Sequence, residues 1–133
     1  MERLRRRADF LAAATGVRAS AAGFVLQARA RDDAGPARVG FTVSRKVGNA
    51  VVRNRVRRRL REVVRLSPGT QMRSGTDYVL IGRRAALEAA FGRLTADFAG
   101  ALDQVHKRQR AAKPDRSNSA SPRARTSDDR NGL

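Results

Sequence analysis

Apolar residues fall at two spacings along this chain, and each spacing predicts a different kind of element. Leu87, Phe91, Leu94, Phe98, Leu102 and Val105 follow one another at steps of four, three, four, four and three, the stripe of a long helix. Between Arg38 and Ser44 the pattern changes to strict alternation. Val39, Phe41 and Val43 fall on one side and Gly40, Thr42 and Ser44 on the other, as in a half-buried strand. A second strand is expected from Gly23 to Arg31, and Asp32-Asp33-Ala34-Gly35-Pro36 reads as the turn joining the two into an antiparallel hairpin. Tyr78-Val79-Leu80-Ile81, within Asp77 to Gly82, is a short apolar run suited to a buried strand.

Two more helices complete the outline. Asp9 to Thr15 is a short one, ended by Gly16. The other begins after Asn49, a residue type that caps helix N-termini, and runs to about Leu66, where Ser67-Pro68-Gly69 stops it. The expected fold class is α+β: a single-domain α-β sandwich with a mixed sheet of about four strands and helices. Its order is α-β-β-(β)-α-β-α, the bracketed strand having no definite place. Past His106 the only large apolar residue is Leu133, while residues 107–133 hold eight basic and three acidic side chains. Such a segment has too little apolar surface to offset ordering entropy. The chain therefore divides into a folded domain, 1–106, and a disordered basic tail, 107–133.

Charge narrows the function. Among 133 residues, 29 Lys and Arg face 12 Asp and Glu, a formal charge of +17. Self-repulsion on that scale points to a polyanionic partner, and arginine, the dominant base here, matches phosphate in a planar fork. With no cysteine, disulfides and thiolate metal sites are excluded. After the basic Arg3–Arg7 stretch, Phe10 to Ala14 is too short for a secretory apolar core, and no run is long enough to span a bilayer, so a cytoplasmic protein is expected.

The positive charge is concentrated around the central helix. From Ser44 to Arg65 there are nine basic residues and a single acid, Glu62. Val52, Val56, Leu60, Val63, Val64 and Leu66 are expected on its buried side, and Arg53, Arg57, Arg58, Arg61 and Arg65 on the opposite arc, with Arg55 and Arg59 at the edge. Like charges three and four residues apart cost such a helix about 1–3 kcal/mol in total. A phosphate backbone would turn that repulsion into neutralisation with counterion release. The candidate nucleic-acid-binding residues, for RNA or DNA, are Arg45, Lys46, Asn49, Arg53, Asn54, Arg55, Arg57, Arg58 and Arg61.

This stretch, Arg45 to Glu62 with Arg53-Asn54-Arg55 at its centre, resembles the signature of the bacterial ribonuclease P protein component. Further agreement comes from Asp9-Phe10, Phe24-Val25-Leu26, the strand Val39 to Ser44, the lead-in Gly48-Asn49-Ala50-Val51, and Asp77 to Ile81. The resemblance covers residues 1–106. It implies an α-β sandwich with a left-handed crossover between parallel strands. The implied partners are a catalytic RNA subunit and precursor tRNA, whose 5′ leader would lie between the sheet and the first helix. Hydrolysis would belong to the RNA subunit with Mg²⁺, leaving the protein with no cofactor and no catalytic residue. The basic helix and its lead-in would contact the RNA subunit, and Phe10, Phe24 and Gln27 are the candidates for the leader cleft. Core packing demands the same aromatic residues at Phe10 and Phe24 that stacking would. Ala14 and Gln27 stand where the family often has aromatics, which shifts leader contacts toward hydrogen bonding.

The residues themselves fit that division of labour. His106 is read as a helix-end residue without a partner, and Asp32-Asp33 as a turn in place of a metal site. No phosphate loop or nucleophile elbow is present. The alternative reading is a structural RNA-binding protein of ribosomal type, which charge and tail suit equally well. A helix-turn-helix DNA reader fits less well, since two strands and no companion helix precede the basic helix.

Overall fold

The computed structural model describes residues 2–31, 33–67 and 72–117. Five strands form one mixed sheet: β1 (Glu2–Arg3), β2 (Val17–Ser20), β3 (Phe24–Ala30), β4 (Arg38–Val43) and β5 (Thr76–Gly82). Three helices, α1 (Arg7–Ala13), α2 (Ala50–Leu66) and α3 (Phe91–Ser117), flank it. The spatial order is β1-β4-β5-β3-β2, with β4 parallel to β1 and β5, and β3 antiparallel to β5 and β2.

The expected hairpin between β3 and β4 does not form, because β5 lies between them. Apart from half-buried Ile81, every residue of β5 is buried, which suits a strand with neighbours on both edges. The turn-forming segment instead bridges across the end of β5, where Asp77 is gripped by Arg31 from one neighbour and Arg38 from the other. The sheet also gains a strand over the expected four. Two strands went unplaced: β1 is only two residues long, and β2 presents Ala19 as its one fully buried side chain.

The main core fills the space between one sheet face and helices α2 and α3. Phe24, Leu26, Tyr78 and Leu80 from the strands meet Val56, Leu60, Val63 and Val64 from α2 and Leu94, Phe98, Leu102 and Val105 from α3. Gly82 lets α2 approach closely: a Cβ there would come within 2.5 Å of a Val56 methyl. The opposite sheet face carries a smaller cluster of Leu4, Ala13 and Val79, with Phe10 and Ile81 packed against it. Gly40 makes room for α1 on that side, since its Cβ would meet the Phe10 ring at 2.6 Å.

Several expected placements change. Leu66 is exposed, since it projects about 120° away from Leu60 at 3.6 residues per turn. Leu87 belongs to a 3₁₀ turn, Arg84–Leu87, that precedes α3. α3 also continues past position 106 to Ser117, and Arg108 hydrogen bonds the Arg18 carbonyl of β2. The part of the expected tail after Ser117 lies outside the described residues. Among those described, no helix is long and apolar enough to cross a membrane.

His106 has a partner after all. It lies within α3, buried, with Nε2 2.7 Å from the Tyr78 hydroxyl. The Arg73 backbone N–H donates to that same hydroxyl oxygen, which leaves the hydroxyl proton to be donated to Nε2 of a neutral imidazole. Burial, and then the nearby Arg73 charge, hold the His106 pKa below its ordinary value, with Arg110 adding to this and Asp103 opposing it. Since the unfolded chain takes up this proton first, the stability contribution is complete above about pH 6.5 and is lost as pH falls toward the depressed folded value. This is the only histidine in the chain. Denaturation midpoints should therefore fall between pH 7 and pH 5 in the wild type and lose that slope in His106→Gln. An unchanged slope in the variant would assign the effect elsewhere.

Candidate RNA interface

The lead-in to α2 is held rigidly from both sides. After β4 the chain makes a 3₁₀ turn, Arg45–Val47, and its outgoing carbonyls are taken up by arginines: Arg84 Nη1 donates to Val47 O at 2.8 Å and Arg53 Nε to Gly48 O at 3.2 Å. Asn49 caps α2, its side-chain oxygen accepting from the Val52 N–H at 3.0 Å. Arg45, Lys46 and Asn49 are all exposed on this loop.

Arg65 pairs with Glu62, and helix geometry sorts the other six arginines of α2 into three sets. Arg55 and Arg58 lie roughly 140–160° from Leu60 and point straight into solvent. Arg53, Arg57 and Arg61 form an i,i+4 row on one flank, and the first two are half-buried there, a departure from the expected outward arc. Arg57 bonds Asn54 Oδ1 at 2.8 Å, and the Arg61 guanidinium sits 5.9 Å from the centre of the half-buried Phe41 ring. Phe41, expected only as a core-facing strand residue, thus becomes an aromatic element of the basic surface.

Arg59 occupies the other flank and is not available to a ligand. It donates to the carbonyls of Ala86, Leu87 and Ala89 at 2.9, 2.7 and 2.9 Å, tying α2 to the turn before α3. Replacing it with Gln should destabilise the fold by roughly 2–3 kcal/mol, because three carbonyls lose a charged donor. Arg58→Gln should change stability by less than about 0.5 kcal/mol. Urea melts of the two variants, side by side, would check the contrast.

The residues proposed for a leader cleft separate by strand parity. Gln27 and Val25 face α1, while Phe24 faces the main core, fully buried with its ring 6.4 Å from that of Phe98. Phe24 is therefore a core residue. Phe10 is half-buried on the α1 face, beside the sheet row that Thr42, Ile81, Val25 and Ser20 make across β4, β5, β3 and β2. Alternation alone links Ile81 and Thr42 to their own strands; only the register brings them into one row with Val25.

An ion network fixes α1 over this face. Asp77 is fully buried and accepts from Arg38 Nε and Nη2, each at 2.8 Å, and from Arg31 Nη1 at 2.6 Å. Arg38 also reaches Asp9 of α1 at 3.6 Å, and Arg31 reaches Asp33. Burial opposes ionisation of Asp77, yet the bonds from Arg38 and Arg31 outweigh it and hold the carboxyl below its ordinary pKa. Neither Asp9 nor Asp77 was expected to share Arg38; their separation in sequence hides it.

A family model described as Ribonuclease P matches residues 1–106. The ribonuclease P protein component of Gluconacetobacter diazotrophicus is 53% identical over 96 residues, covering 71% of this chain and 83% of its own. That of Paramagnetospirillum magneticum is 43% identical over 129 residues, covering 93% and 97%. Among solved structures, the ribonuclease P protein of Thermotoga maritima superposes with a TM-score of 0.62 at 28% identity, covering 80% of this chain and 97% of that one. The Staphylococcus aureus protein gives 0.60 at 26%, covering 80% and 94%. On sequence and on fold, this chain belongs to the ribonuclease P protein component family.

Proposed function

We propose that this chain is the subunit that binds the catalytic RNA of ribonuclease P in the cytoplasm and helps position the 5′ leader of precursor tRNA for endonucleolytic removal. The observation that carries the reading is the surface formed by the 3₁₀ lead-in and α2. There Arg45, Lys46, Arg55 and Arg58 are exposed and have no ion-pair partner among the described residues. Asn49 and Asn54 stand between them, and the Arg53–Arg57–Arg61 row continues the charge onto Phe41. Phosphate contacts of this kind orient a protein on RNA without reading sequence. The α1 face suits a single strand: Phe10 offers an aromatic edge and the exposed Thr42 and Ser20 offer hydrogen-bonding groups, while Gln27 is buried.

Catalysis is assigned to the RNA subunit with its Mg²⁺. Among the described residues, Asp77 is committed to Arg31 and Arg38, Glu62 to Arg65, and Asp97 to Arg93, while Glu2, Glu88 and Asp103 have no arginine partner. The protein's contribution is electrostatic. Its arginines supply positive charge that divalent ions otherwise provide, so adding it should lower the Mg²⁺ concentration needed for cleavage. The test is precursor tRNA incubated with a bacterial ribonuclease P RNA at low Mg²⁺, with and without this protein. Cleavage should require both components. Cleavage by the protein alone, or no stimulation of the RNA, would overturn the reading.

A further inference from the structure

At the opposite end of the sheet from the lead-in loop there is a second basic site. A cavity of about 840 Å³ opens between the α1–β2 turn, the end of β3, the start of β5 and the far part of α3. Among the described residues its walls carry Arg29, Arg31, Arg73 and Arg110 but only one acid, Asp33, which Arg31 already engages. Arg29, Arg73 and Arg110 have no ion-pair partner among the described residues. Gln109 also lines the cavity, and its side-chain nitrogen is buried without a hydrogen-bond acceptor.

Each of these features is costly without a ligand. Arg73 and Arg110, both close enough to His106 to lower its pKa, repel each other, and a buried amide N–H lacking an acceptor forfeits the hydrogen bonds it made to water. An anionic oxygen in the cavity neutralises the arginines, and a turn of the Gln109 amide toward it gives the buried N–H an acceptor. Cavities of this size hold ligands of nucleotide scale. The walls are also fixed in place: Arg108 ties α3 to the Arg18 carbonyl of β2, and Arg31 is anchored on Asp77.

We infer that this cavity binds a phosphate of an RNA strand, as a second site separate from α2. β5 runs from the cavity at Thr76 to Gly82 beneath the first turns of α2, a span of about 20 Å at ~3.3 Å per residue. Neighbouring phosphates of one strand lie closer together than that, so a phosphate held at the first turns of α2 is not the one in the cavity. An RNA held at both ends must pass along the molecule or present two separate strands.

Side-chain amide signals provide a direct readout. Pyrophosphate titrated into the ¹⁵N-labelled full-length protein at low salt should shift the Gln109 side-chain amide together with the backbone amides of Thr15 and Arg73. A single-stranded oligoribonucleotide of about ten nucleotides should shift the same signals. Arg73→Gln combined with Arg110→Gln should weaken both by about tenfold or more, while melting stays near that of the unaltered protein because both residues are exposed. Gln109→Met, which keeps the length and removes the donor, should weaken binding in the same direction. Arg55→Gln with Arg58→Gln should leave pyrophosphate binding at Gln109 unchanged, and this separates the inference from the role given to α2. An unmoved Gln109 amide, or undiminished shifts in the Arg73/Arg110 variant, would refute the site. Shifts with pyrophosphate but not with the oligonucleotide would refute its assignment to RNA.

Discussion

Replacing Asp77 with Asn should destabilise the protein by about 3 kcal/mol at pH 7, the low end of the range for breaking a buried ion pair. The carboxylate is completely buried and accepts three charged hydrogen bonds; the amide can accept at one oxygen only, and its NH₂ would face two guanidiniums. The low end applies because Arg31 and Arg38 keep 11% and 26% of their side-chain surface and can recover some hydration. For a domain of this size the loss corresponds to roughly 10 °C in melting temperature. The sign of the pH dependence follows from the lowered pKa. The contribution is present above the unfolded carboxylate value, about 3.9, and disappears as pH falls through the folded one. The gap between wild type and variant should therefore be wide at pH 7 and narrow progressively as pH falls below the unfolded value of about 3.9. Equal denaturation midpoints at pH 7 would mean that the network contributes nothing to stability. The same variant should loosen α1, since Arg38 holds Asp9 and Asp77 together, so leader-strand affinity should drop along with stability.

That network also marks the limit of what local pattern reveals. α2 was legible in detail because its determinants lie within one helix: the Asn49 cap, the Val56–Leu60–Val63–Val64 stripe, and the stop at Ser67. The same holds for β4 and for most of α3. Pairing was not legible, because alternation specifies a buried face and says nothing about which strand lies alongside. A turn-rich segment between two strands fits a hairpin, and it fits equally well a bridge across an inserted third strand. The insertion of β5 depends on contacts between Arg31, Arg38 and Asp77, residues 46 and 39 positions apart. His106 was misjudged for the same reason, its hydroxyl partner being 28 residues away.

The site divides along the same line. Charge and helical position marked the basic surface, but arginines of similar appearance fall into three sets with different uses. Arg59 shares a flank with Val52 and meets the turn at Arg84–Leu87, which exists only once β5 and α3 are in place. Phe24 has the same parity as Leu26 and Ala28, so its strand face could be read from sequence. Which face lies against α1 and which against α3 could not.

The sorting of the arginines leads to the sharpest functional expectation. Arg55, Arg58 and Arg61 are exposed, and the side chains of Arg55 and Arg58 take part in no hydrogen bond among the described residues. Changing all three to Gln keeps helix propensity and side-chain length, and it removes the like-charge pairs 55–58 and 58–61, so the free protein should be as stable as before or slightly more so. Affinity for the ribonuclease P RNA should nevertheless fall on the order of a hundredfold, at about 1 kcal/mol for each lost contact. The slope of log affinity against log salt should become shallower by roughly two to three units, at about 0.7–0.9 per phosphate contact. Arg53 and Arg57 serve as the comparison. Arg53 already holds the Gly48 carbonyl, so Arg53→Gln should disturb the lead-in loop as well as binding, mixing a stability loss with a smaller change in slope. A triple variant whose salt titration runs parallel to the wild type's would place these arginines in water in the complex. The RNA-binding role would then have to move to the lead-in loop and the Arg53–Arg57 flank.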